Sequence, residues 1–285
     1  MPTGPINDLS PFGAHAPSGA LARLIATARK APDGWAGRRL AYLLRALGVR
    51  AMAGRPADVE TLGARMRLYP ADNVSEKRML FTPQYFDPHE LDFLARRITP
   101  DFVFVDVGAN VGGYSLFVAA RAGAGARILA IEPQPLIHER LVYNVRQNAF
   151  ATIKTLECAA ADCDGEVTMF VNARNRGDSS IRIVPSHDGG RLTVRARRLR
   201  DILAGEAFGR IDAMKLDCEG AEDLIVEPYL RSAPRSLWPQ VMIVEHMPER
   251  WCIDLPDFIR AQGYKEQLRT RQNLVFELDG AGTDS

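Results

Sequence analysis

A short glycine-rich segment after an apolar run carries the clearest chemistry in this sequence. Gly108, Gly112 and Gly113 follow the run 102–107. Glycines at the end of a buried strand let the backbone turn sharply into a helix and approach a ligand closely. Asp106 lies two residues before the first glycine. Its carboxylate would repel a dinucleotide pyrophosphate but can bind an ammonium group, which S-adenosylmethionine carries, so the segment favours that cofactor.

Two further carboxylates follow the next strand-like runs. Glu132 ends the run 127–131, and a carboxylate at that strand tip can accept hydrogen bonds from both hydroxyl groups of a ribose. Asp162 follows the run 152–158 and is predicted to contact the adenine amino group. The three carboxylates would thus meet three different parts of one cofactor.

Ionisable side chains also follow the fourth and fifth runs, where an open α/β sheet binds its ligands. These candidates are Asp217, Glu219, Glu245 and His246. If S-adenosylmethionine donates its methyl group to a hydroxyl, that hydroxyl must lose its proton. A positioned base typically contributes about 10²–10⁴-fold to the rate of such a step. We expect Asp217 to be the base or to orient the acceptor, with Glu219 next. His246 is the alternative, because histidine ordinarily titrates near neutral pH.

Two neighbouring side chains and a metal ion are further candidates for the site at the ends of these strands. Lys215 is expected to pair with a carboxylate, and Glu222 either to interact with a helix dipole or to act in catalysis. Asp217, Glu245 and His246 offer two carboxylates and an imidazole to a divalent cation that would polarise the acceptor. Because Mg²⁺ prefers oxygen ligands, the histidine favours a mechanism without metal.

The order of apolar runs along the chain indicates how these residues are positioned. Strands that are apolar throughout and alternate with helices predict a parallel sheet covered on both faces. The predicted strands are 102–107, 127–131, 152–158, 213–216 and 240–245. The predicted helices are 114–122, 136–148, 221–230 and 257–262. Runs 264–269 and 274–277 predict a closing antiparallel hairpin, and 166–171 is predicted to pair with the third strand.

The first hundred residues predict an extension in two parts. Residues 1–20 are expected to be loose, and two amphipathic helices follow, one with Leu21, Leu24, Ile25 and Ala28 and the other with Leu40, Leu43, Leu44 and Leu47, ending at Gly48. We expect their leucines to pack on the main domain, the alternative being a lid, a partner surface or a membrane-surface element. Runs 65–69 and 78–81 predict a β-hairpin, and 88–97 a helix. The expected organisation is 1–60, 61–100 and a catalytic domain at 101–285.

Composition limits the class of protein. The chain has 285 residues and a net charge of +1, which argues against a nucleic-acid partner. Its four cysteines are scattered, as expected in a reducing cytoplasm. Prolines near the start argue against a signal peptide, and the apolar runs are too short to insert stably in a membrane. We therefore expect a cytoplasmic protein; its oligomeric state is open, a dimer included.

Several motifs together resemble the FkbM family of methyltransferases. The resemblance covers about residues 65–278, and its two main motifs are the segment 104–116, FVDVGANVGGYSL, and the segment 211–222, IDAMKLDCEGAE. The segments 85–90, 130–133 and 178–181, with Asn144 and Asn148, also fit. Cys218, where the family usually has Val or Ile, and the run 197–200, RRLR, depart from the pattern.

The resemblance implies a Rossmann-like class I methyltransferase fold, with a mostly parallel seven-stranded sheet that ends in an antiparallel hairpin. It implies methyl transfer from S-adenosylmethionine, usually to a hydroxyl group of a sugar, glycan or polyketide. It adds Asn110, Tyr114, Ser115 and Pro133 to the cofactor-binding residues.

The stretch 174–200 bears on the acceptor, because it holds eight arginines against two aspartates. Arginine suits phosphate and carboxylate groups, so a substrate-facing insert here would favour an anionic acceptor. The alternative is a solvated strand face.

Two other functions remain as alternatives. A nicotinamide-dependent oxidoreductase is disfavoured by Asp106 and by the closing hairpin. A non-catalytic binding protein on a methyltransferase fold is disfavoured because Asp106, Gly108, Glu132 and Asp217 are all present.

Overall fold

A seven-stranded sheet between two layers of helices forms the centre of the chain. The computed structural model describes residues 7–150, 152–171, 179–180 and 190–280. The helices are α1 (Gly19–Arg29), α2 (Trp35–Met52), α3 (Val74–Phe81), α4 (Pro88–Ala95), α5 (Gly113–Ala119), α6 (Pro135–Arg146), α7 (Leu199–Gly205), α8 (Asp223–Ser232) and α9 (Leu255–Ala261). The strands are β1 (Ala57–Thr61), β2 (Ala64–Leu68), β3 (Val103–Val107), β4 (Arg127–Ile131), β5 (Ile153–Leu156), β6 (Ala159–Ala161), β7 (Gly165–Val171), β8 (Ser179–Ser180), β9 (Gly190–Arg198), β10 (Ala213–Leu216), β11 (Val241–Glu245), β12 (Tyr264–Arg269) and β13 (Asn273–Leu278).

The main sheet has the strand order β12-β13-β11-β10-β3-β4-β5. Its five strands from β11 to β5 are parallel, whereas β13 runs antiparallel to both β11 and β12. The parallel core and the closing hairpin confirm the predicted fold. Both faces are buried, as continuous apolar strands require. Val105 lies in a cluster with Leu203 and Val226 on one side, and Phe104 lies with Phe81 on the other.

A second, smaller sheet has the order β6-β9-β7-β8. The predicted pairing of 166–171 with the third strand is wrong, because β7 pairs antiparallel with β9. The third strand ends at Leu156, and the chain then leaves the main sheet to form β6, which pairs with β9. Much of the arginine-rich stretch, including Arg174, Arg176 and Arg182, lies outside the described residues.

The hairpin of the N-terminal extension lies earlier than predicted. It consists of β1 and β2, joined at Leu62 and Gly63, which both have positive φ. The boundary expected at residue 60 falls inside β1. The run 78–81 is part of helix α3, because the Asn73 side chain caps the helix by accepting a hydrogen bond from the Glu76 N–H at 3.2 Å. A run of only four residues, three of them apolar, has no periodicity that would distinguish a strand from a helix.

Helix α2 continues past Gly48, where it was predicted to end. A Cβ at Gly48 would lie 2.3 Å from the Phe81 ring, so this glycine does not end α2 but lets it pack closely against α3. Leu40, Leu43 and Leu47 are 45%, 58% and 47% exposed, so the prediction that they pack on the main domain is wrong. None of the described helices is both long enough and apolar enough to cross a membrane.

Residues 7–18 are attached to the fold, contrary to the expectation of a loose start. The buried Arg67 guanidinium donates to the carbonyl groups of Asp8, Ser10 and Pro11 at 2.8–3.0 Å. It also pairs with the buried carboxylate of Asp58, Nε to Oδ1, at 2.6 Å. This guanidinium therefore joins the N-terminal segment to the β1–β2 hairpin.

A second buried arginine joins the extension to the main domain. Arg140 on α6 pairs with Glu76 at 2.7 Å and with Asp72 at 3.0 Å, and its guanidinium lies 4.0 Å from the Tyr69 ring centroid. One turn later, Asn144 accepts from the Arg67 N–H at 2.7 Å and donates to the Val111 carbonyl at 3.1 Å. Helix α6 is thus bonded to the extension on one side and to the glycine-rich turn on the other.

We predict that Arg140→Ala lowers the free energy of unfolding by about 3–5 kcal/mol, because it leaves the buried Glu76 carboxylate without its cation. Arg146, exposed on the same helix, is the matched control, and Arg146→Ala should change stability by about 0.5 kcal/mol or less. Urea unfolding of the three proteins measures the difference. Equal stability of the two variants would contradict this role of Arg140.

Candidate active site

A cavity of about 300 Å³ lies at the carboxyl ends of the central strands. The tips of β3, β4, β10 and β11 contribute lining residues, as expected for the ligand crevice of an open α/β sheet. The predicted residues among them are Asp106, Gly108, Asn110, Tyr114, Glu132, Pro133, Asp217, Glu219 and Glu245. The sheet therefore gathers most of the predicted site in one place.

The glycine-rich turn has a steric requirement at Gly108. This residue has φ 77°, and a Cβ there would lie 1.9 Å from the Asp217 carbonyl oxygen. Only glycine lets the turns after β3 and β10 approach this closely. Gly112 has φ 95° at the start of α5, where a Cβ would lie 2.8 Å from Leu141. Gly112 does not line the cavity, so its role is to shape the turn.

Asp106 is buried and bonded to the first turn of α5. Its Oδ2 accepts from the Ser115 N–H at 3.0 Å and from the Ser115 hydroxyl at 2.6 Å. Burial raises the pKa of Asp106, whereas the nearby Lys215 ammonium opposes the rise. Ser115 lies outside the lining residues and holds the Asp106 carboxylate in position.

Glu132 presents both carboxylate oxygens at the tip of β4. Oε2 accepts from the Asn110 N–H and Oε1 from the Gln134 N–H, each at 2.9 Å. Burial, with the charges of Asp217 and Asp106, raises the pKa of Glu132 to about 7. An ionised carboxylate has about four acceptor positions, so each oxygen can accept a further hydrogen bond. Glu132 can therefore receive two hydroxyl groups.

Lys215 is a buried cation in the wall of the cavity. Its Nζ lies 2.6 Å from Asp217 Oδ2 and 4.8 Å from the centroid of the Tyr114 ring. The charges of Asp217 and Asp106 raise the pKa of Lys215 in spite of its burial. The expected pairing with a carboxylate is therefore present. Tyr114 donates from its hydroxyl group to Asp87 at 3.1 Å, which fixes the ring below the ammonium group.

Asp217, Glu219 and Glu245 form an acidic cluster beside this cation. One carboxylate oxygen of each lies within 4.8 Å of the others, and the Glu219 N–H donates to Glu245 Oε2 at 3.1 Å. Burial and the neighbouring carboxylates, Asp217 first, raise the pKa of Glu245. The cluster offers an all-oxygen set of ligands, the type that Mg²⁺ and Ca²⁺ prefer.

The structure does not bring His246 into the cavity. Successive side chains at a strand end point to opposite sides, so Glu245 faces the cavity and His246 lies 5.9 Å from the Trp251 ring, centroid to centroid. Glu219 takes the place of His246 in the predicted metal set, and His246 is not placed to act as the base.

Glu222 shapes the loop after β10. Its Oε1 accepts from the N–H groups of Cys218 and Gly220 at 2.8 and 3.1 Å, and its Oε2 accepts from the Trp251 indole at 2.9 Å. These contacts occupy both oxygens of a buried carboxylate that does not line the cavity. The structure thus favours a structural role for Glu222 over a catalytic one.

Asp162 also lies outside the cavity. It follows β6, which belongs to the small sheet, and its side chain is exposed. Ala159 and Ala160 of β6 line the cavity instead. The predicted adenine contact assumed that the third strand continued to residue 158. Because that strand ends at Leu156, the carboxylate is carried away from the sheet tip.

The cavity has a wall that the sequence analysis missed. Helix α3 supplies Val74, Ser75, Arg78 and Met79, and the following turn supplies Phe86 and Asp87. A signal was present, since Asn73 followed three residues later by Glu76 is a helix-start pattern. The N-terminal extension is therefore part of the site.

Comparison with known proteins places this geometry in a family. The model of the methyltransferase FkbM domain matches residues 106–266. A similar curated protein is the AMB antimetabolite synthetase AmbE of Pseudomonas aeruginosa, which is 29% identical over 228 residues. That match covers 66% of this chain and 10% of the relative, so the chain spans a tenth of the relative's length.

Solved structures also resemble the chain. The METTL16 methyltransferase domain has a TM-score of 0.47 and 16% identity, covering 90% of this chain and 91% of that domain. The precorrin-6y C5,15-methyltransferase of Geobacter metallireducens has a TM-score of 0.42 and 13% identity, covering 68% and 87%. The family match extends over more than half of the residues, from the glycine-rich turn into β12. The chain therefore belongs to the FkbM family of methyltransferases.

Proposed function

We propose that this protein uses S-adenosylmethionine to methylate a hydroxyl group of a small molecule, such as a sugar, glycan or polyketide. The observation that carries the proposal is the pair of buried carboxylates, Asp106 and Glu132, on neighbouring strand tips beside the Gly108 turn. The similarity to an antimetabolite synthetase agrees with a small-molecule acceptor.

The lining residues fit the groups of this cofactor. Glu132 has acceptor positions for two ribose hydroxyls, and Asp106 provides negative charge for the ammonium group. Ile137, Ala159 and Ala160 offer apolar surface for a purine. The cavity volume of about 300 Å³ is at the lower end of the range for ligand sites, about 300–1,000 Å³. A Cβ at Gly108 would clash with the Asp217 carbonyl oxygen and push apart the two turns around which these groups are arranged.

The proposed base is Asp217. S-adenosylmethionine, when bound, supplies an electrophilic methyl group. Lys215 holds Asp217 Oδ2, and the Asp217 side chain is 38% exposed, so the second oxygen can accept the proton of an acceptor hydroxyl. Glu245 is a weaker candidate, because burial and its acidic neighbours raise its pKa and so favour the protonated form, which cannot accept the proton. Lys215 balances the charge of Asp217 before the proton arrives.

We predict that affinity for S-adenosylhomocysteine rises with pH through about 7. Only the ionised Glu132 can accept from both ribose hydroxyls, and its pKa is raised to about 7, so the binding form accumulates above that pH. Calorimetric titrations from pH 6 to 8 should show up to about tenfold change per pH unit below the pKa, levelling above it.

Glu132→Gln is the control for this pH dependence. It should bind S-adenosylhomocysteine about tenfold or more weakly and without the slope, because hydrogen bonds to a charged group contribute about 1.5–3 kcal/mol. Wild-type affinity that does not change with pH, or a slope retained in the variant, would show that Glu132 does not hold the ribose.

We predict that Asp217→Asn lowers kcat by about 10²–10⁴-fold, the usual contribution of a general base. Cofactor affinity should stay within a few-fold, because the amide keeps the shape of the side chain. Transfer of a labelled methyl group to the acceptor measures kcat, and His246→Gln is the matched control that should retain near-normal turnover. If His246→Gln lost activity and Asp217→Asn kept it, the assignment of the base would be reversed.

A further inference from the structure

A second cavity adjoins the first on its outer side. It has a volume of about 580 Å³ and lies between α2, the turn before α4, and the β12–β13 turn. The two cavities share four lining residues, which are Val74, Arg78, Asp87 and Gln272. A molecule bound in the outer cavity can therefore extend towards the inner one, where Asp217 lies.

The outer cavity is lined by four arginines, which are Arg38, Arg45, Arg78 and Arg271. Two of them are neutralised, since Arg78 pairs with Asp87 at 2.8 Å and Arg38 with the exposed Asp33 at 2.6 Å. Across the ranges that the structure describes, no carboxylate lies within 4.0 Å of the guanidinium groups of Arg45 and Arg271. Among the described residues, these two positive charges thus face the cavity without an acidic partner.

The acidic residues of the lining are already engaged. Glu90 is buried, and its Oε1 accepts from the Thr270 hydroxyl at 2.6 Å and from the Asn273 amide at 2.9 Å. Asp87 accepts from Arg78 and from the Tyr114 hydroxyl. Asp87 is thus paired with a cation and Glu90 is directed to Thr270 and Asn273, so neither carboxylate forms an ion pair with Arg45 or Arg271.

Arg45 is held in a defined position. Its guanidinium lies 4.6 Å from the centroid of the Tyr42 ring, and Arg38 lies 5.1 Å from the Tyr85 ring. Stacking on an aromatic ring orients the planar fork that binds phosphate or carboxylate. Burial and the charge of Arg78 lower the pKa of Arg45, and burial and the charge of Arg45 lower the pKa of Lys77. A bound anion would therefore stabilise the charged form of the partly buried Arg45.

We propose that the outer cavity binds the methyl acceptor through an anionic group, phosphate or carboxylate, held by Arg45 and Arg271. The acceptor's hydroxyl then extends past Arg78 and Asp87 towards Asp217. The identification of the bound molecule as the methyl acceptor rests on the proposed function, whereas the anion site itself does not. It also uses residues other than the arginine-rich stretch 174–200.

The test uses inorganic pyrophosphate as the phosphate probe and citrate as the carboxylate probe. Each is titrated calorimetrically into the full chain, with and without saturating S-adenosylhomocysteine. The variants are Arg45→Gln and Arg271→Gln, and the control is Arg50→Gln, an exposed arginine of α2 outside the cavity lining. We expect at least one probe to bind, with Kd raised about tenfold in each of the two variants and within twofold of wild type in the control.

The outcomes separate the two proposals. Binding of pyrophosphate alone assigns a phosphate group to the acceptor, and binding of citrate alone assigns a carboxylate. The inference is overturned if neither probe binds, or if Arg45→Gln and Arg271→Gln bind the probes as wild type does. Failure of S-adenosylhomocysteine to bind would instead contradict the proposed function, while the titrations without it still test the anion site.

Discussion

The buried ammonium group of Lys215 makes the active-site geometry possible. It lies opposite Asp106 in the β3–β10 register and 2.6 Å from Asp217, with Glu245 on the next strand. Without a cation, carboxylates gathered at adjoining strand tips would repel one another, and burial adds to this cost for Asp106. The Gly108 turn requires the two tips to approach closely, and Lys215 makes that approach electrostatically acceptable. Sheet register, turn geometry and the proposed base, Asp217, are thus connected through one side chain.

The N-terminal extension completes the site through a series of buried polar contacts. Arg140 holds Glu76, whose N–H is capped by Asn73, and the Asn73 amide donates to Asn110 at 2.8 Å. The Asn110 N–H in turn donates to Glu132. The carboxylate proposed to bind ribose is therefore connected to helix α6 through the extension. Because α3 lines both cavities, the extension contributes directly to the walls of the proposed cofactor site and of the proposed acceptor site.

Much of this could be read from the sequence, for physical reasons that also explain the failures. Buried parallel strands are continuous apolar runs, and glycines after them mark turns, so β3, β4 and the Asp106–Gly108 turn were predictable. A tip residue's direction depends on where the strand ends. The third strand ends two residues earlier than predicted, so Asp162 lies outside the site. Side chains alternate at the end of β11, so Glu245 faces the cavity and His246 does not, and Glu219 completes the acidic cluster instead. Helix α3 was missed because its cap resembles a turn, and the outer cavity because its arginines come from distant parts of the chain.

A crystal structure of the full chain with S-adenosylhomocysteine tests the central claim most directly. We predict that the cofactor product lies in the inner cavity, with both ribose hydroxyls on Glu132 and the ammonium group beside Asp106. We also predict that the sulfur atom faces the second oxygen of Asp217. Density for the cofactor elsewhere, or a ribose that does not contact Glu132, would contradict it.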